Sequence, residues 1–147
     1  MTNKYDGMVV HKTLSANDLG LTGSHQAGIL VPKELARTDF LPQLDREELN
    51  PREDVYVRLS TGREVVLKYI YYNNRRFQGT RDEYRLTYLT RPLKEIGATV
   101  GAVLQIRKLG DRFYSMGMLK EHLLPERNEM PGRTVLRLSG GWVLINM

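Results

Sequence analysis

A chain of 147 residues is close to the usual size of one domain, and 41% hydrophobic with 27% charged residues is the composition of a protein that buries a core, not of a disordered tail. The absence of cysteine excludes a disulfide scaffold and any thiolate metal site, so a cytoplasmic location is expected. The net charge is +5, and no apolar run approaches the roughly eighteen residues of a membrane span, so a soluble protein without a membrane partner is expected.

In chain order, the first candidate strand is Val9 to Leu14. It runs into a polar loop, Leu14 to Gly28, spaced by Gly20, Gly23 and Gly28. Here Ser15, Asn17, Asp18, His25 and Gln26 are candidate DNA-binding residues. Asn and Gln pair bidentately with adenine, Ser and His donate to guanine or phosphate, and glycines let backbone N–H groups approach phosphates. The same composition also fits an ordinary Asx-type turn.

Gly28 to Val31 reads as a strand, and Pro32 to Arg37 as a short helix with proline in its first turn. Asp39 to Asp54 holds six acids and two arginines with Pro42 and Pro51, and is predicted to be a polar surface loop. Asp54 to Leu59 and Glu64 to Tyr72 follow as strands.

Tyr71 to Arg85 then joins two candidate strands through a basic arm carrying Asn73, Arg75, Arg76, Arg81, Asp82, Glu83 and Arg85, all candidate DNA-binding residues. Arginine reads guanine O6 and N7 bidentately, and a carboxylate accepts from cytosine N4. Period-two alternation places Arg81, Glu83 and Arg85 on one face of an extended strand. Glu83 between two arginines equally fits a surface ion pair that stiffens the hairpin, worth under about 1 kcal/mol.

The remaining strands are Tyr84 to Leu89, Val100 to Leu109, Arg112 to Met118, Thr134 to Leu138 and Gly141 to Asn146. A one-turn helix is conceivable at Leu93 to Ile96, and another helical stretch at Lys120 to Leu124. The Gly110–Asp111 and Gly140–Gly141 pairs are hairpin signals. Nine short strands with short helical plugs predict a mainly β fold that closes, or nearly closes, into a barrel.

Charge is clustered. From Arg58 to Lys94 nine basic residues face three acids, a local excess of +6, so the other 110 residues sum to −1. Such an excess is the expected footprint of a phosphate-binding surface, and it is also what a solvated basic face looks like.

Motifs for catalysis are missing. A PD-(D/E)xK nuclease needs an acid two residues before a lysine, and none of the seven lysines has one. His11, His25 and His122 are far apart and lack metal-ligand spacing, and Ser15, Ser24 and Ser60 lie in no GxSxG elbow. No GxxxxGK[ST] phosphate loop occurs. Neither a catalytic role nor a metal or other cofactor is expected.

Leu14 to Pro32, with the pattern LSAND-G-TG-HQ-G before a proline, and Tyr71 to Arg85, with the pattern YYN-R-F--TR-E-R, together resemble the N-terminal effector domain of the EcoRII-type restriction endonucleases. The resemblance implies a bacterial protein with a B3-like open β-barrel, a pseudobarrel with short helices. Two arms of that fold grip duplex DNA and recognise CCWGG without cleaving it, while a separate nuclease domain cuts. It places the reading positions on His25, Arg81, Glu83 and Arg85, with Asn17, Asp18 and Gln26 in the matching loop. The chain departs from the pattern at Gly79 and Tyr84, where the family has lysines, and at Leu30, where it has a tyrosine. Phosphate contacts are therefore expected to be redistributed, with Arg75 and Arg76 supplying some of the charge.

The leading expectation is a single B3-like domain, residues 1–147, binding double-stranded DNA as a monomer within a larger restriction enzyme whose full-length chain carries a nuclease domain. The ending at Asn146-Met147, directly after a candidate strand, points the same way. A stand-alone DNA-binding regulator with the same fold is the alternative, and a compact nuclease with an unrecognised site is the third class.

Overall fold

Alternation of apolar and polar side chains builds the sheet strand by strand. The computed structural model describes residues 8–23, 28–120 and 134–146. Its strands are β1 (Met8–Thr13), β2 (Ile29–Val31), β3 (Arg52–Leu59), β4 (Glu64–Tyr72), β5 (Glu83–Thr87), β6 (Val103–Gly110), β7 (Phe113–Met118), β8 (Thr134–Arg137) and β9 (Trp142–Asn146). Two short helices, α1 (Lys33–Ala36) and α2 (Thr90–Glu95), follow β2 and β5. In β3, Val55, Val57 and Leu59 are buried while Tyr56 and Arg58 between them are exposed. On β4, Leu67 is buried opposite Val55.

The strands form one sheet in the order β2-β5-β4-β3-β7-β6-β1-β9-β8. Pairing is antiparallel except between β3 and β7, which run parallel. The sheet curls until β9, next to its last strand, meets the edge strand β2: the indole Nε1–H of Trp142 donates to the Leu30 carbonyl at 3.0 Å. That bond ties the ends across an open seam, so the fold is mainly β, the B3-like pseudobarrel that the sequence motifs implied. Side chains from β1 to β7 and from β9, among them Val10, Val31, Val57, Leu86, Ile106 and Trp142, fill a common core.

Phe40 and Leu41 belong to this core, which corrects the expectation that residues 39–54 form a polar surface loop. The Phe40 ring lies 5.3 Å from that of Tyr114, whose hydroxyl donates to the Phe40 carbonyl at 2.5 Å, and Lys108 Nζ donates to the Asp39 carbonyl. Two apolar side chains among acids are enough to plug one end of the barrel, and residues 52–54 already belong to β3.

Other boundaries shift by one to three residues. The turn of helix expected at Leu93 to Ile96 begins earlier, at Thr90. Strand β5 stops at Thr87, two residues short of the expected Leu89, because Tyr88 adopts φ +65, a left-handed conformation no strand accommodates. Strand β6 starts at Val103 and not at Val100. The β6–β7 turn falls on Asp111 and Arg112, one residue beyond the expected pair, with a register shift between Lys108 and Gly110. Gly140 and Gly141 form the β8–β9 turn as expected, with φ +71 and +82. Beyond Lys120, the helical stretch expected at Lys120 to Leu124 lies outside the described residues. Among the described residues no helix is long and apolar enough to cross a membrane.

Candidate nucleic-acid interface

The two polar segments flank the same pair of strands from opposite ends. Strand β2 pairs antiparallel with β5 over Ile29↔Leu86, Leu30↔Arg85 and Val31↔Tyr84, so the first arm re-enters the sheet beside the end of β5 and the second arm beside the end of β2. At the first of these entries Gly28 has φ +79, and a Cβ there would collide with the Leu86 carbonyl. Only glycine lets the arm pass that close to β5.

The base of the first arm is pinned where β1 ends. The Leu14 N–H donates to the Ala102 carbonyl at 2.9 Å, and the Gly101 N–H donates to the Leu14 carbonyl at 2.8 Å. Ser15 and Asp18 satisfy each other: the Ser15 N–H donates to Asp18 Oδ2 at 2.9 Å and the Asp18 N–H to Ser15 Oγ at 3.2 Å. Asp18 is buried, and its Oδ2 also lies 3.0 Å from Nζ of the buried Lys12. Lys12 completes its donors with the carbonyls of Thr13 at 3.0 Å and Gly140 at 2.6 Å. Asn17 Oδ1 accepts from the Thr22 hydroxyl at 2.8 Å. Ser15, Asn17 and Asp18 thus shape the arm's own turns, while His25 and Gln26 lie outside the described residues. Lys12 was not singled out by the sequence reading, and its signal was there: a lysine at an inward position of an apolar strand needs an acid within reach.

The second arm is held from within. Arg75 N–H donates to the Arg81 carbonyl at 2.9 Å, Gly79 N–H to the Asn74 carbonyl at 2.7 Å, and Arg81 N–H to Asn74 Oδ1 at 2.6 Å. Asn73, expected to contact DNA, is fully buried. Its Nδ2 donates to the carbonyls of Arg46 at 3.2 Å and Glu48 at 2.7 Å, and its Oδ1 accepts from the Asn50 N–H at 2.7 Å. Those bonds occupy both ends of the amide and fasten residues 46–50 to the arm. Arg76 is drawn to the same stretch, donating to the Arg46 carbonyl at 2.8 Å and to both Glu47 carboxylate oxygens at 3.2 Å. Arg75 is exposed.

Arg81, Glu83 and Arg85 do share one face. Arg81 Nε donates to Glu83 Oε1 at 2.9 Å, and Arg85 Nη2 lies 3.5 Å from Glu83 Oε2, so one carboxylate bridges two guanidiniums. Burial pushes the Glu83 carboxyl up, but the hydrogen bond from Arg81 and the charge of Arg85 outweigh it and hold the group below its ordinary value. The Arg81 guanidinium sits 3.7 Å above the Tyr72 ring, a cation–π contact that fixes its plane. Arg85 is 3% exposed and donates to the Gly28 carbonyl at 3.4 Å, joining this row to the end of the first arm.

Asp82 points the opposite way. Its Oδ2 accepts from Lys33 Nζ at 2.7 Å and its Oδ1 from the Tyr71 hydroxyl at 2.6 Å. Lys33 and Tyr71 hold its carboxyl below the ordinary value, while burial, reinforced by Asp82, pushes the Tyr71 phenol up to about 12. The Tyr71 ring stacks on Tyr84 at 4.1 Å.

The basic excess of residues 58–94 is partly neutralised at home. Arg58 pairs with Glu64, Arg63 with Glu95 and Lys68 with Asp54, at 3.2, 3.3 and 2.9 Å. Such exposed pairs are weak.

An open, curled β sheet whose two polar arms flank one strand pair defines a protein of the B3-like pseudobarrel class. Residues 3–104 match the family of the N-terminal domain of restriction endonuclease EcoRII, and the chain belongs to that family. The type II restriction enzyme EcoRII of Escherichia coli is 38% identical over 78 residues, 52% of this chain and 19% of that enzyme. The chain therefore corresponds to a small part of that relative's length.

Proposed function

We propose that this chain binds double-stranded DNA sequence-specifically, as the recognition or effector domain of a type II restriction endonuclease, and does not cut DNA by itself. Residues 1–147 act as one domain and as a monomer, and the nuclease domain lies elsewhere in the full-length polypeptide. The site is CCWGG. Binding needs neither metal nor another cofactor.

The observation that supports this reading best is the row Arg81–Glu83–Arg85 on one face of the strand limb between the two arms. Bidentate arginines and an accepting carboxylate are the groups that distinguish G·C from other pairs in the major groove. Exposed Arg75, Arg91 and Lys94 supply phosphate contacts around them. The family resemblance supports His25 and Gln26 as further DNA contacts.

Fluorescence anisotropy with a CCWGG duplex and a shuffled duplex, in EDTA, tests the proposal. The cognate duplex should bind roughly 10³-fold more tightly or better. Equal affinities would contradict it, and so would metal-dependent cleavage of plasmid DNA that follows the purified protein.

A further inference from the structure

Successive side chains of an extended limb point to opposite faces. Arg81 and Glu83 share the face between the arms, so Asp82 points behind it, where both carboxylate oxygens are engaged by Lys33 and Tyr71 at 2.7 and 2.6 Å. Tyr71 belongs to β4, the strand that leads into the second arm. Lys33 opens α1, directly after β2, the strand that receives the first arm. One carboxylate therefore joins the outgoing strand of the second arm, its returning limb and the element that follows the first arm.

The ladder between β2 and β5 ends at Val31↔Tyr84. Residues 81 and 82 lie beyond it: the Arg81 backbone is bonded within the second arm, to Asn74 and Arg75, but no β2 partner fixes the limb against the element that follows the first arm. A carboxylate held at both oxygens supplies that restraint: it sets the orientation of its own plane and with it the side to which Arg81 and Glu83 project.

We infer that Asp82, with Lys33 and Tyr71, positions the reading residues and sets the spacing of the two arms, and does not itself touch DNA. This rests on the DNA-reading proposal above. The test compares the ratio of cognate to shuffled affinity, and the melting temperature, for the wild type, Arg81→Ala, Asp82→Asn, Lys33→Met and Lys33→Arg. Asp82→Asn and Lys33→Met should each lower the ratio about tenfold, within the range that coupled neighbours show. Melting temperature should fall only slightly, because Lys33 and Asp82 are partly exposed and Tyr71, which packs against the core, is left in place. Lys33→Arg, which keeps the cation, should retain the ratio.

If Asp82→Asn lowers the ratio and Lys33→Met leaves it alone, Asp82 meets a base directly and the inference is overturned. A loss in Arg81→Ala with none in Asp82→Asn overturns it as well, leaving the DNA reading intact. A wild-type ratio of one removes the DNA reading and the tie together.

Discussion

Among single residues, the two neighbouring acids of the second arm behave differently from surface carboxylates. Folded Asp82 and Glu83 are held below their ordinary values of 3.8 and 4.5, the first by Lys33 and Tyr71, the second by Arg81 and Arg85 against the opposing effect of burial. A carboxyl whose folded value is depressed contributes stability that is fully present above the unfolded value and is lost as pH falls through the folded one. Stability measured by urea unfolding from pH 7 to pH 3 should therefore drop below about pH 4, where such carboxyls begin to protonate. In Glu83→Gln or Asp82→Asn the drop should be shallower, and acid limbs that run parallel to the wild type would show that the pairs contribute nothing to the fold. At this scale the sequence carried the alternation of Arg81, Glu83 and Arg85, because period two needs no tertiary context. It could not carry Asn73, which looks like any polar loop residue until residues 46–50 fold over it. Lys12 was half legible: its inward place on β1 called for a nearby acid, which Asp18 supplies, but its bond to the Gly140 carbonyl comes only with the β1–β9 pairing.

Elements were legible where alternation is long and less so where they end. Strands β3 and β7 alternate cleanly, β4 is apolar almost throughout, and all three were found nearly whole. The end of β5 depends on the left-handed turn at Tyr88, which a tyrosine does not announce. Residues 39–54 misled through composition, since the acids outnumber the two side chains, Phe40 and Leu41, that decide where the segment packs. The junction of the first arm with β2 offers the sharpest test of how elements hold the arms. Gly28→Ala places a methyl group against the Leu86 carbonyl at a backbone φ of +79. Strain of this kind costs about 1 to 3 kcal/mol, and the short β2–β5 ladder is what must yield. Thermal unfolding should show the loss, and cognate DNA affinity should fall with it as the first arm moves off β5. A variant that melts and binds like the wild type would mean that the arm is not seated by this contact.

For the molecule as a whole, the local excess of +6 over residues 58–94 overstates what a phosphate backbone meets. Arg58, Arg63, Lys68 and Arg76 already have carboxylate partners, three of them from outside the basic segment: Glu47, Asp54 and Glu95. Clustering along the sequence is visible without a structure, whereas neutralisation across the fold is not. What the barrel provides is a fixed frame: one sheet, closed by Trp142 on Leu30, with an arm at each end of the β2–β5 pair and a bridged Arg–Glu–Arg row between them. Electrostatic attraction alone would make that row a clamp for any duplex, and base reading would make it a filter. The affinities of Arg81→Ala and Arg85→Ala for CCWGG and shuffled duplexes at one salt concentration decide between the two. The cognate affinity should fall by about 1 to 3 kcal/mol for each variant while the shuffled affinity changes far less. If both duplexes weaken by the same factor, the row holds phosphates only and the sequence-specific reading is wrong.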